Sequence, residues 1–221
     1  MKKALYADLV AQRKACDACP DLKNPFLLQF DSNEIGPWTR LHGDLNAEIM
    51  VVGQDWGDTR YFKTNQGLDD LRNPTTRMLE QLLQVAGFDV SLQSYEQGNR
   101  GLFLTNAILC LKEGGLQAKV ESSWFKNCGQ RFLRPQIELV APKIVVALGQ
   151  RAYEAILVEF GFKRGKFRSA VESPQGLALP CGSQLFAVYH CGRRILNTHR
   201  PPDAQIQDWR RIRAWLDTQP H

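Results

Sequence analysis

Three side chains of this 221-residue chain have types and settings suited to chemistry: Asp55, Asn106 and His190. Asp55 lies in Gly53-Gln54-Asp55-Trp56-Gly57, directly after a short apolar run. A glycine there lets the backbone turn sharply and bring its N–H groups close to a ligand. A carboxylate in that loop can orient a water or act as a general base, or it can simply close an Asx turn. The loop is neither a P-loop nor a GxGxxG, so nucleoside phosphates are not indicated. Asn106 sits inside the apolar stretch Leu104–Cys110. An amide there costs free energy unless it is hydrogen-bonded. Its donor and acceptor match the paired donor and acceptor on the edge of a nucleobase, or they cap a neighbouring loop. His190 ends the run Leu185-Phe-Ala-Val-Tyr-His190, where it either donates to a developing oxyanion or serves structure.

The six cysteines pose a second question. Cys16-Asp-Ala-Cys19 is a C-x-x-C, while Cys110, Cys128, Cys181 and Cys191 stand apart. Zinc sites usually show two close pairs, and here there is one. Cys128 falls on an apolar helical face with Trp124 and Phe132, where a free buried thiol is the competing reading.

The elements that must position these residues follow from the apolar pattern. Short β-rich runs occur at 47–53, 101–107, 143–149 and 184–190. Three are almost continuously apolar, as strands covered on both faces are. Helical patterns lie between them, over 74–87, 122–140 with a break at Pro135, 150–160 and 203–217, and the segment up to Ala15 is read as helical too. Strand–helix alternation implies right-handed crossovers, and hence a three-layer α/β/α fold around a four-stranded parallel sheet. Such sheets bind ligands beyond the carboxyl ends of their strands. That puts Gly53-Gln54-Asp55, Asn106, Gly149 and His190 around one mouth.

Length suits a single domain over 1–221. With 43% apolar and 23% charged residues, wholesale disorder is excluded. No apolar run spans a bilayer and no leader is read at the start, so a cytoplasmic protein with unpaired cysteines is expected. The net charge of +5 permits an anionic partner. Its cations gather in Lys163-Arg-Gly-Lys-Phe-Arg168 and around Arg193, Arg194 and Arg200, which is also what a solvated surface looks like.

In order, the chain offers a Gly-Gln-Asp loop, Thr105-Asn106-x-x-x-Cys110, the stretch Arg134-Pro-Gln-Ile-Glu-Leu-Val-Ala-Pro-Lys-Ile-Val-Val-Ala-Leu-Gly149, and a strand ending in histidine. This resembles the uracil-DNA glycosylase superfamily from about Cys16 to Trp209, most specifically over 104–152. The cysteine spacing looks most like its iron–sulfur class, family 4, whereas the Gln-Asp loop is closer to family 1. The resemblance implies a DNA-repair hydrolase that cleaves the N-glycosidic bond of uracil, or of a related deaminated base, in a nucleotide flipped out of DNA. It further implies Gln54 and Asp55 at the attacking water, Gly53 and Asn106 at the base, and His190 beneath charge on the uracil O2. Phe62 is the expected stacking aromatic, with Tyr61 and Trp56 as rivals. Cys16, Cys19, Cys110 and Cys128 are implied to hold a structural 4Fe–4S cluster. Arg193 and Arg194 are expected on DNA, the partner being uracil-containing DNA and the protein a monomer. Two positions depart from the pattern. Cys191-Gly192-Arg193-Arg194 replaces the usual Pro-Ser or Pro-Ala, in a loop that normally enters the minor groove. Gly57 stands where family 1 keeps a thymine-excluding tyrosine. They favour, as an alternative, a non-catalytic or altered-specificity member that binds damaged or single-stranded DNA.

Overall fold

The computed structural model describes residues 1–89, 101–115 and 118–219. Strands β1 (Ile49–Asp55), β2 (Leu102–Ile108), β3 (Ile144–Leu148) and β5 (Gln184–Val188) run parallel. The order across the sheet is β2-β1-β3-β5, with a fifth strand beyond β5. The edge strand β4 (Leu177–Ala178) pairs antiparallel with β5. The four parallel strands expected from the sequence are therefore present, and a fifth strand extends them. Two residues carry no periodicity of their own. They pair because Gly176 adopts a positive φ and because its missing Cβ leaves room for the Leu185 carbonyl.

Alternate residues of each strand enter opposite layers. Met50, Val52, Phe103 and Val145 pack on one side; Ile49, Val51, Leu102 and Ile144 pack on the other. The first side is covered by α1 (Lys2–Lys14), α4 (Ser122–Cys128), α5 (Arg134–Val140) and α6 (Gln150–Glu159). The second is covered by α3 (Pro74–Val85) and α9 (Pro202–Asp217). In α3, Pro74 opens the helix, the Asn73 side chain accepts from the Thr75 N–H, and Met78, Leu79, Leu82 and Leu83 form the buried stripe. Burial of each such leucine contributes about 1.5–3 kcal/mol. Short helices α2 (Thr59–Thr64), α7 (Phe167–Glu172) and α8 (Arg193–Thr198) lie in the loops.

The break expected at Pro135 falls just before it, as a π-helical turn over Gly129–Leu133. Proline lacks an N–H and its ring crowds the carbonyl four residues back, and a wider turn accommodates both. The turn is also tied to the sheet. Gln136 is fully buried; its Nε2 donates to the Phe132 carbonyl (3.0 Å) and its Oε1 accepts from Thr105 Oγ1 (2.8 Å), one residue before Asn106. Among the described residues no helix is long and apolar enough to cross a membrane.

Candidate active site

Adjacent strand ends bring the expected residues to one edge. Gly53 on β1 stands in register with Asn106 on β2, and Asp55 with Ile108. A Cβ built on Gly53 would lie 2.5 Å from Asn106 Oδ1 and 2.8 Å from the Trp38 ring. Only glycine allows the amide and the indole to approach the β1 backbone so closely. Asn106 is buried, and its Oδ1 has no hydrogen-bond partner among the described residues. A buried acceptor left unpaired costs about 1–3 kcal/mol, so this atom is poised to accept from a ligand.

Asp55 is held from two sides. Gln54 Nε2 donates to its Oδ2, and Lys112 Nζ reaches both carboxylate oxygens, at 3.1 and 3.3 Å. The pair is nearly closed to solvent, with 6% of the Lys112 side chain and 10% of that of Asp55 exposed. Lys112 comes from the segment following β2. Its carbonyl accepts from the Thr59 N–H (3.0 Å) at the start of α2, where Asp58 caps the helix. Nothing in Leu111-Lys112-Glu113-Gly114 marks this lysine in the sequence, because its partner lies 57 residues away.

The strand β5 stops at Val188, so His190 stands two residues beyond it rather than at its last position. Its Nδ1 accepts from the Gly192 N–H at 2.9 Å. A nitrogen that accepts carries no proton, so the neutral ring bears its hydrogen on Nε2. The surrounding protein desolvates the imidazole and lowers its pKa below 6.5, with the Asp55 charge opposing the shift. The ring presents an Nε2–H donor from a residue that solvent still reaches, so its desolvation is partial. The loop itself is braced from α9: Gln205 Nε2 donates to the carbonyls of His190 and Arg200, both at 3.3 Å. Asp208, fully buried on the same helix, accepts from Arg200 (2.6 and 3.0 Å) and Arg211 (2.8 Å). Cys191 is buried against α3, its thiol donating to the Thr75 carbonyl (3.5 Å).

Phe62, the expected stacking aromatic, lies on α2, whose first turn Asp58 caps; it is 1% exposed and packs against Trp56, ring centroids 5.7 Å apart. Trp56 is buried as well, and Tyr61 is half-buried with its hydroxyl accepting from the Asp70 N–H (3.0 Å). Trp38, which meets Asn106 at Gly53, is half-buried, and its Nε1 donates to Asp69 Oδ2 (2.9 Å). Burial pushes the Asp69 carboxyl up to about 6, against the hydrogen bonds from Trp38 and Tyr61. Arg193 and Arg194 open α8 and are exposed.

On the α1 side of the sheet, Cys16, Cys19, Cys110 and Cys128 all line one cavity of about 210 Å³. The chain builds it with few contacts. Asn24 Nδ2 donates to the carbonyls of Arg13, Lys14 and Cys16, closing the end of α1. Lys23 and Leu111 exchange both backbone hydrogen bonds at 2.8 Å, which sets the C-x-x-C segment beside Cys110. Asn127 Nδ2 donates to Cys19 Sγ (3.4 Å) and Arg131 Nη1 to Cys16 Sγ (3.7 Å). Burial and the neighbouring cysteines push the Cys128 thiol up to about 12 and Cys110 higher still. Among the described residues, no three His, Cys, Asp or Glu side chains form a group that could hold a single metal ion.

A profile of the family described as the uracil DNA glycosylase superfamily matches residues 41–217, which contain Asp55, Asn106, Lys112 and His190. The chain belongs to the uracil DNA glycosylase superfamily. The α/β/α fold is that of a member of this superfamily. The chain is also similar to the type-5 uracil-DNA glycosylase of Pyrobaculum aerophilum, 28% identical over 213 aligned positions that cover 88% of this chain and 86% of that one. Family membership and this relative together point to a glycosylase-type hydrolase. The relative is a type-5 enzyme, whereas the cysteine spacing had suggested family 4.

Proposed function

We propose that the chain excises uracil, or a closely related deaminated base, from DNA. The observation that carries this reading is the unpaired, buried Asn106 Oδ1 at the mouth that Asp55 and His190 share. Uracil offers a ring N–H donor beside a carbonyl acceptor, which an asparagine amide satisfies in one plane. Cleavage leaves negative charge on the departing base and positive charge on the sugar. His190 Nε2–H donates to the base oxygen where that charge develops. Asp55, held by Gln54 and Lys112, faces the sugar, where it steadies the cation and orients the attacking water. Trp38 supplies the aromatic face for the flipped base. The nucleotide must leave the stack first, at a cost of a few kcal/mol that phosphate contacts by Arg193 and Arg194 help to offset. We place this activity in the cytoplasm, on a monomer.

The same reading assigns Cys16, Cys19, Cys110 and Cys128 to a 4Fe–4S cluster. The donor set supports it: four thiols around one cavity, two of them accepting N–H donors as cluster thiolates do. When bound, the cluster cross-links α1 to the segment after β2. Cys181 and Cys191 stand outside it.

The test incubates wild type and Asp55→Asn with uracil-containing single- and double-stranded oligonucleotides and then cleaves abasic sites with alkali. Strand scission by wild type, reduced about 10²–10⁴-fold in Asp55→Asn, is expected. Absence of scission with uracil, hypoxanthine and other deaminated bases overturns the proposal. One observation favours the second reading, a binder of altered specificity. Cys191 packs inward, so the loop after His190 does not offer that side chain to the minor groove. Tight, salt-dependent binding without base release, unchanged in Asp55→Asn, is its signature.

A further inference from the structure

The basic loop singled out in the sequence meets an aromatic ladder. Tyr153 on α6, Phe167 at the start of α7, Tyr189 and His199 follow one another with ring centroids 6.0, 5.1 and 6.5 Å apart. The ladder begins at a buried ring and ends at an exposed one. Its last pair is nearly parallel, at 19°, and its spacing is at the outer limit of aromatic contact. Tyr189 and His199 thus gain little from each other, and His199 is exposed. Tyr189 is also the residue immediately before His190.

Charge surrounds the open end. Arg168 and Arg200 both lie close enough for their charges to be felt at Tyr189. Segments 161–172 and 189–203 hold seven lysines and arginines against two acids, Glu172 and Asp203, which is an excess of five and equals the whole net charge of the chain, +5. Arg164 and Arg168 are 64% and 80% exposed, and their partners Glu154 and Glu172 hold them only through surface ion pairs. Such pairs are weak and readily exchanged for phosphate.

Aromatic faces interleaved with cations suit unpaired nucleotides, because every base has a π-face and only an unstacked one can use it. We propose that this surface binds the single-stranded DNA flanking the flipped nucleotide, one unpaired base lying against Tyr189 and His199 and its phosphates against the 163–168 loop. This rests on the glycosylase reading and adds to it a preference for unpaired substrate.

The test measures fluorescence anisotropy of the full chain with a uracil-containing 15-mer, as single strand and as duplex, over a salt series. His199→Ala is expected to weaken single-strand binding about tenfold. Lys163→Ala/Lys166→Ala, which alters only exposed side chains, should reduce the slope of log K against log salt by about 1.4. Duplex affinity should change less than twofold in both. Uracil release is followed on the same samples. Equal losses on single strand and duplex, or no loss on either, overturn the proposal while any uracil release leaves the glycosylase reading intact. Selective loss on the single strand without any base release upholds this surface and overturns that reading instead.

Discussion

Lys112 Nζ spans both carboxylate oxygens of Asp55, at 3.1 and 3.3 Å, across 57 residues of sequence. The pair is almost entirely buried, so neither charge has water to fall back on. Removing one partner of a buried pair typically costs 3–5 kcal/mol, much of it from the charge left behind. Lys112→Met is therefore expected to lower the unfolding free energy by about 3 kcal/mol. Asp55→Asn/Lys112→Met should lose less than the sum of the two single variants, as a double-mutant cycle in denaturant would show. Strict additivity would mean that the pair is not coupled. In the proposed reaction Lys112 acts through Asp55, as a positioning residue. Lys112→Met should slow single-turnover uracil release about 10²-fold with little change in DNA affinity, and Lys112→Arg should recover part of the loss.

His190 supports a prediction about pH. Protonation of Nδ1 would set an N–H against the Gly192 N–H, break the 2.9 Å hydrogen bond and release the ring. The pKa is lowered, so activity should hold as the pH falls past 6.5 and decline only at lower pH. A pH–rate profile of uracil release checks this, and an acidic limb centred above 6.5 would contradict it. The backbone at Gly192 (φ −70°, ψ 147°) is one that alanine adopts freely, yet a Cβ there would lie 2.9 Å from His190 Nδ1. Gly192→Ala should accordingly reduce kcat about tenfold and leave thermal stability nearly unchanged, because the imidazole moves and the chain does not.

The sequence makes some of this arrangement visible and hides the rest, for physical reasons. β1, β2 and β3 are legible because burial on both faces leaves them no polar side, and α3 because its stripe of Met78, Leu79, Leu82 and Leu83 repeats at the helical period. Parallel order then carries Asp55, Asn106 and His190 to one edge without any knowledge of contacts. Lys112 and Trp38 are invisible at that level. Each matters through a partner distant in sequence, Asp55 for one and the backbone of Gly53 for the other. Phe62 illustrates the opposite problem. It lies close after the loop in sequence, but on α2 it packs into the core against Trp56.

His42, whose backbone N–H donates to the Trp38 carbonyl (3.2 Å), offers a test read by stability alone. Burial pushes its pKa down to about 4, the Asp89 charge opposing, against 6.5 in the unfolded chain. Above pH 6.5 both states are neutral there and the group has no effect. Between 6.5 and about 4 the unfolded state binds the extra proton, so stability is lost as the pH falls through that window, by up to about 3 kcal/mol. Denaturant unfolding at pH 7 and pH 4.5 should show wild type losing about 2–3 kcal/mol more than His42→Gln. Equal losses in the two proteins would remove His42 as the cause.

The cysteine cavity and the Asp55 site are joined by one short piece of chain. Cys110 faces the cavity, Leu111 is clamped to Lys23 by two 2.8 Å hydrogen bonds, and Lys112 reaches Asp55. Whatever fixes Cys110 against the C-x-x-C segment therefore also fixes the residue that holds the Asp55 carboxylate. If a 4Fe–4S cluster is that fixture, chain purified without air should carry about four irons. Cys19→Ser, altered far from Asp55 in sequence, should lose the iron and slow uracil release through a loosened Lys112. Lys112→Met should slow release while keeping its full iron. Iron analysis beside single-turnover rates separates the two effects. Iron-free wild type that excises uracil at full rate would show that the clamp between Lys23 and Leu111 holds Lys112 unaided, and that the four thiols play no part in positioning Asp55.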